Sequence, residues 1–306
     1  MTKLKVLDGG TGSEIRRRGY NVPSHINSIW SAQALIENPE VIEQIHYDYI
    51  HAGANYITIN NYALTQPILS RANILNKLEE LTLLSIELAN NAIKRSGKNI
   101  KLIGSLPPLE TSYRSDLVIN EKDMYEYYKI ISSILKNKVD IILCETMSSI
   151  IESKTALIAA LETNTESWVS WTLQGNRLNT LPSGELLNEA FNALTNLKPD
   201  AYLINCCSAN FVTEGIKTLN TLTDKPIGGY ANSSLVRITK KTKDKNTSHI
   251  IEKNPEQAQR ELSKNINEWD YSREVKKWVK NGASIIGGCC STTPNHIKEI
   301  SKINYQ

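Results

Sequence analysis

The sequence predicts an α/β fold, a single (β/α)8 TIM barrel, and three observations carry that prediction. Eight short apolar runs, each suited to a buried strand, alternate with stretches of helical spacing. Nearly every run ends in a side chain able to do chemistry: Asp8, Asn60, Ser105, Glu145, Cys206, Asn232 and Cys289-Cys290. A closed parallel barrel brings such ends to one rim, where barrel enzymes carry their active sites. Finally, no linker or composition break interrupts residues 1–306, so one large core is expected. An open doubly wound sheet is the other way to arrange the same units. Its signal would be a dinucleotide turn, and Gly9-Gly10-Thr11-Gly12 lacks the full G-x-G-x-x-G spacing.

In chain order, Lys5-Val6-Leu7 is the first strand and ends in Asp8-Gly9-Gly10. Asn38-Pro39 opens a helix whose Val41, Ile45, Tyr49 and Ala52 share a face before Gly53 stops it. Tyr56-Ile57-Thr58-Ile59 ends in Asn60-Asn61, and one long helical region is expected from about Ile68 to Arg95. Lys101–Gly104 is the third strand. The helix Glu121–Lys136 then leads to Asp140–Cys144, with Glu145 following at once. Trp168–Thr172, Tyr202–Ile204, Pro226–Tyr230 and Ser284–Ile286 complete the set. A long βα loop, about residues 233–270, falls after the seventh strand and would hang over the functional rim.

The bulk numbers exclude several classes. A net charge of +3 with interspersed signs gives no nucleic-acid surface, and Lys240-Lys241-Thr242-Lys243-Asp244-Lys245 reads as a solvated loop. No apolar run is long enough for a membrane span or a signal peptide. Five cysteines, an odd number gathered mainly in two places, argue against a disulfide framework and for a reduced, cytoplasmic setting.

Those two places are the most informative part of the chain. Cys206 ends the run Ala201–Ile204 and Asn205, while Cys289 and Cys290 follow Ile285-Ile286-Gly287-Gly288. Thr293-Pro294 then opens the last helix with a cap residue and a proline at the first helical position. Three thiolates from two strand ends make a zinc site with one coordination position left open. Strand alternation turns Cys207 to the opposite face from Cys206, and Cys144 reads as core.

With Asp8-Gly9-Gly10, Asn205-Cys206 and Gly287-Gly288-Cys289-Cys290 in place, the chain resembles the homocysteine S-methyltransferase family over essentially its full length. Thr292-Thr293-Pro294-Asn295-His296-Ile297, Trp30-Ser31-Ala32, His51-Ala52-Gly53-Ala54, and Glu145-Thr146 with Glu152 extend the match. Departures are Ile59-Asn60-Asn61, Tyr230-Ala231-Asn232-Ser233-Ser234 and the extra thiol of Cys207, none of which removes a metal ligand.

The resemblance implies a Zn2+-dependent barrel that methylates the thiol of homocysteine, with a sulfonium donor, S-methylmethionine or S-adenosylmethionine. Cys206, Cys289 and Cys290 would be the metal ligands. Glu145 would meet the substrate ammonium group, or else serve a structural salt bridge. Asp8 would share that role or fix the Gly9-Gly10 turn, and the backbone of Gly9 and Gly10 would hold the substrate carboxylate. Asn60 and Asn232 are further candidates at strand ends. Trp30 would line the donor pocket or simply pack. His46, His51 and His296 read as surface or packing residues. The competing classes are a selenocysteine or other thiol methyltransferase, a zinc hydrolase, and a zinc-binding barrel without methyltransferase activity. Five histidines with no H-x-H pair disfavour the hydrolase.

Overall fold

A computed structural model describes residues 4–23, 28–239, 241–243 and 263–304. Among them β1 (Lys5–Val6), β2 (Tyr56–Thr58), β3 (Lys101–Leu106), β4 (Ile141–Met147) and β5 (Glu166–Trp171) come first. β6 (Ala201–Ser208), β7 (Ile227–Asn232), β8 (Ser234–Val236), β9 (Ser263–Asn265) and β10 (Ile285–Gly288) follow. Eight of these form one parallel sheet in the order β1-β10-β7-β6-β5-β4-β3-β2. A parallel bridge between Leu7 and Tyr56 joins the first and last members, so the sheet closes into the expected barrel.

Closure divides the apolar residues into two layers. Leu7, Ile103, Ile141, Leu143, Trp168, Leu203, Tyr230 and Ile285 fill the barrel interior. Alternate positions such as Ile142, Cys144, Val169, Tyr202 and Ile204 pack outward against the helices. β4, β6 and β10 are therefore buried along their whole length, and β3 and β5 after their first residue. The runs accordingly read as continuously apolar rather than alternating.

Several boundaries differ from the sequence expectation. The region Ile68–Arg95 is two helices, Gln66–Arg71 and Leu78–Ser96, separated by a turn and a short 3-10 segment. Asn73 breaks it by taking a left-handed conformation with φ 57°. The long loop is not wholly irregular, because its two ends pair as the antiparallel strands β8 and β9 above the rim. Most of that loop, and half of the basic stretch beginning at Lys240, lie outside the described residues.

The larger correction concerns β4 and β6, which run on past their expected ends. On β6, three residue steps from Asn205 to Ser208 face two on β7, from Tyr230 to Asn232. On β4, the steps from Cys144 to Met147 likewise outnumber those from Val169 to Trp171. Each strand thus carries one extra residue, a β-bulge. Thr146 and Cys206 adopt the left-handed backbone, with φ 60° and 53°. The fully buried Asn205 ties the two bulges together. Its Oδ1 accepts from the Thr146 N–H (3.0 Å) and from Ser170 Oγ (2.7 Å), and its Nδ2 donates to Thr146 Oγ1 (2.7 Å).

Asn205→Ala would leave the Thr146 N–H and two buried hydroxyls without these partners. Each unsatisfied buried group costs about 1–3 kcal/mol, so a loss of roughly 3 kcal/mol or more is expected in chemical denaturation. Asn205→Ala melting like the parent would show that the bulges hold by themselves.

Candidate active site

The extra residue on β6 decides where each thiol points. Ala201 and Leu203 face the interior, so unbroken alternation would send Asn205 and Cys207 inward and Cys206 out toward the helices. The bulge reverses the last two. Cys207 is fully buried in the outer layer, and Cys206 is turned into the cavity at the rim. The expectation for Cys207 holds, but the cause is the bulge rather than simple alternation.

The second thiol pair sits where β10 ends. Cys289 N–H donates to the Ala231 carbonyl (2.8 Å), and Cys290 N–H donates to Asn232 Oδ1 (3.2 Å). Asn232 Nδ2 in turn donates to the Cys206 carbonyl (3.0 Å), so one side chain fixes both thiol segments. Gly10 permits the closing contact, because a Cβ there would lie 2.4 Å from the Cys289 carbonyl oxygen. Its N–H donates to Thr292 Oγ1, which itself donates to the Cys289 carbonyl. The Gly10 amide is therefore committed to the thiol loop, leaving Gly9 on the cavity wall as the backbone candidate for a carboxylate.

The sulfurs of Cys206, Cys289 and Cys290 all lie within 4.8 Å of one another, and Cys206 to Cys290 is 3.8 Å. Tetrahedral Zn–S bonds of about 2.3 Å place two ligand sulfurs about 3.8 Å apart. The donor set therefore fits zinc in number, type and spacing. The thiol contacts with Cys206 and Cys290, followed by burial, hold the Cys289 thiol well above its ordinary value. A nearby cation is what would ionise such a cluster.

The thiols line a cavity of about 470 Å³, within the range of small-molecule sites. Asp8, Gly9, Gly10, Trp30, Asn60 and Glu145 also line it, so every candidate from the sequence reaches one space. Glu145 Oε1 accepts from Ser105 Oγ (2.5 Å) and Oε2 from the Tyr230 hydroxyl (3.1 Å). Burial pushes its carboxyl up to about 7 against those two hydrogen bonds. Asp8 rises to about 8, again from burial, although the Thr58 N–H donates to its Oδ2 (3.0 Å). Neither carboxyl has a basic side chain beside it, so the structural salt bridge considered for Glu145 is not observed among the described residues.

Trp30 takes φ 42°, a strained backbone for so bulky a residue, and its indole covers Gly12. The ring stands edge-on to Tyr62, with centroids 5.8 Å apart. Asn60 donates to the Ser31 carbonyl (3.1 Å) and so supports this segment. Among the described residues, His46, His51 and His296 stay out of the cavity. His51 is exposed, and His46 is buried with neither ring nitrogen hydrogen-bonded among the described residues. His296 caps its own helix through Thr293 and contacts Ser233 Oγ.

Sequence reasoning missed Tyr62, Tyr113 and Tyr230, all of which line the cavity. The Tyr113 hydroxyl contacts both Cys206 Sγ (2.9 Å) and the Cys206 carbonyl (3.0 Å). Burial and the neighbouring sulfurs hold its phenol well above the ordinary tyrosine value. Tyr230 occupies an apolar strand position, which concealed its polar end. Tyr113 lies in a loop with no period to read.

A parallel barrel with a three-thiol centre at its rim defines a class, and comparison with known proteins specifies it. Residues 5–303 match the homocysteine S-methyltransferase family, and the chain belongs to that family. It is 27% identical to homocysteine S-methyltransferase YbgG of Bacillus subtilis, covering 97% of this chain and 93% of the relative. It is 28% identical to the homocysteine S-methyltransferase of Escherichia coli, covering 96% and 93%. A crystal structure of the E. coli homocysteine methyltransferase MmuM in its oxidized form superposes with a TM-score of 0.78. Identity there is 25%, over 98% of this chain and 95% of that one. The chain is thus a methyltransferase acting on a small-molecule thiol, and no described helix is long and apolar enough to cross a membrane.

The raised carboxyls make a prediction for the protein free of metal and substrate. Asp8 near 8 and Glu145 near 7 keep protons in the folded state that the unfolded chain has already lost. Stability therefore falls as pH rises through this window. Burial lowers His46 to about 4, and this opposes the trend only below its ordinary value of 6.5. Between pH 6.5 and 8 the melting temperature should drop, and by less in Asp8→Asn. A flat profile in the parent protein would contradict the buried, unpaired state of these carboxyls.

Proposed function

We propose that this chain transfers a methyl group from a sulfonium donor, best S-methylmethionine and less well S-adenosylmethionine, to the thiol of L-homocysteine. The observation that carries the reading is the placement of three sulfurs and two buried carboxyls around one cavity. Zn2+ bound by Cys206, Cys289 and Cys290 would supply a Lewis-acid centre at which a substrate thiol ionises near neutral pH.

The rest falls to the chain's own residues. Glu145, steadied by Ser105 and Tyr230, meets the homocysteine ammonium group, with Asp8 beside it. A cation at that point offsets the burial that raises both carboxyls. Gly9 offers backbone to the carboxylate. The indole of Trp30 and the ring of Tyr62 provide electron-rich faces for a sulfonium. A sulfonium leaves as a neutral thioether, so no acid is needed. What the walls contribute is alignment of the attacking sulfur, methyl carbon and leaving sulfur, a large catalytic term.

A second acceptor is worth measuring, because the chain is also 27% identical to a selenocysteine methyltransferase of Astragalus bisulcatus, over 98% of this chain and 92% of that protein. The deciding assay supplies zinc-loaded protein and homocysteine or selenocysteine with S-methylmethionine, S-adenosylmethionine or betaine. S-methylmethionine should give the highest initial rate and betaine none. A clear preference for betaine would overturn the sulfonium assignment. Glu145→Gln should raise the Michaelis constant for homocysteine about 10- to 100-fold, the equivalent of a charge-assisted hydrogen bond of roughly 1.5–3 kcal/mol. Its zinc content should not change.

For the metal, about one zinc per chain is expected. Alanine at Cys206, Cys289 or Cys290 should lower zinc occupancy and abolish methyl transfer, whereas Cys207→Ala should retain both. Zinc lost from Cys207→Ala but kept in Cys206→Ala would reverse the assignment of the two neighbours.

A further inference from the structure

A site that methylates one sulfur while holding three others must keep the methyl group off its own ligands. Each ionised cysteine is chemically similar to the substrate it stands beside. The geometry around Cys206 is unusual in a way that bears on this. Tyr113 sits in the loop after β3 with φ 66°, a left-handed backbone that a large L-residue adopts only under constraint. That loop is fastened on several sides. Thr65 Oγ1 donates to the Leu109 carbonyl (2.6 Å), the Tyr128 hydroxyl to the Pro107 carbonyl (3.0 Å), and Tyr62 pairs with Ser112 (2.7 Å). The result of all this anchoring is a buried phenol aimed at one cysteine.

The phenol proton has two acceptors within reach, Cys206 Sγ at 2.9 Å and the Cys206 carbonyl at 3.0 Å. The carbonyl is already served by Asn232 Nδ2 at 3.0 Å. An ionised sulfur can only accept, so in the working state the phenol must be the donor.

We propose that Tyr113 is a positioning residue that protects Cys206 from methylation by donating a hydrogen bond to its thiolate. A hydrogen bond to a thiolate withdraws part of the lone-pair density that would attack the methyl carbon, and it occupies one approach to the sulfur. The inference rests on the methyl-transfer reading only in assuming that the three cysteines are ionised around zinc. The reaction held back is simple. The Cys206 thiolate forms an S–CH3 bond, the bond from methyl to leaving group breaks with its electron pair, and Cys206 becomes neutral S-methylcysteine.

The test uses iodomethane, so its outcome does not depend on which biological donor is correct. Zinc-loaded full-length protein and Tyr113→Phe are exposed to iodomethane without homocysteine. Methylation of Cys206, Cys289 and Cys290 is then followed by peptide mass spectrometry, with zinc content and thermal unfolding measured in parallel. In Tyr113→Phe, Cys206 methylation should accelerate about tenfold relative to Cys289 and Cys290, with zinc retained at the start. Tyr113→Gln, which keeps a donor, should return the ratio toward that of the parent. An unchanged ratio in Tyr113→Phe overturns the proposal. So does a common rise at all three cysteines accompanied by zinc loss, which would mean that Tyr113 merely holds the loop. An equal rise in Tyr113→Phe and Tyr113→Gln overturns it as well.

Discussion

The carboxamide of Asn205 is the contact on which the rim depends. From inside β6 it bonds the backbone and hydroxyl of Thr146 on β4 and the hydroxyl of Ser170 on the strand between them. A parallel strand left to itself would simply alternate to its end. By holding the bulges of β4 and β6, this one amide lets Cys206 leave the helix-facing layer and enter the cavity. It also stiffens the segment that carries Glu145, one residue before Thr146. Asn232 then repeats the device at the next seam, joining the Cys206 carbonyl to the Cys290 amide. Two asparagine side chains therefore set the spacing of the thiol cluster.

How much of this was legible in the sequence follows from what each feature depends on. The barrel was readable because eight buried parallel strands each leave a local apolar signature, and the helices that alternate with them carry start signals such as Asn38-Pro39 and Thr293-Pro294. The rim positions of Asp8, Glu145 and Cys289 were readable for the same reason, being the first chemistry-bearing residues after those runs. Asn73 was not readable as a break, because asparagine occurs in helices and only its left-handed φ marks the turn. The bulges were invisible, since an inserted residue changes register with a distant strand and leaves the local composition alone. Tyr113 was invisible for a similar reason. Its partner lies 93 positions away, and the loop between Leu106 and Ser115 has no periodicity.

The charges of the cavity account for why the parts belong together. Asp8 and Glu145 are buried carboxyls raised by desolvation, and contact among the sulfurs together with burial raises the Cys206 and Cys289 thiols. Arg16, exposed on the wall, is the one basic side chain among the described lining residues. Such a cavity gathers negative charge as its buried acids give up their protons. In the proposed reaction three cations compensate it: a metal at the thiols, an ammonium at the carboxyls and a sulfonium by the aromatic rings. Each arrival lowers the cost of ionising the groups it meets, and each ionised group strengthens the hold on its cation.

Charge alone does not separate a sulfonium from a quaternary ammonium, since both are cations that aromatic faces attract. Discrimination has to come from shape and from the leaving group. The strained backbone of Trp30 presses its indole against Gly12, where even one additional carbon would clash. Strain of this kind persists only where surrounding contacts over-determine it, and here Asn60 and Tyr62 supply those contacts. The wall proposed to face the donor is thus held from several sides. Under the proposed assignment, such a wall and a fixed thiol cluster would admit only donors whose methyl group lies on the line between the two sulfurs, so geometry would be the means of selection once charge has drawn the cations in.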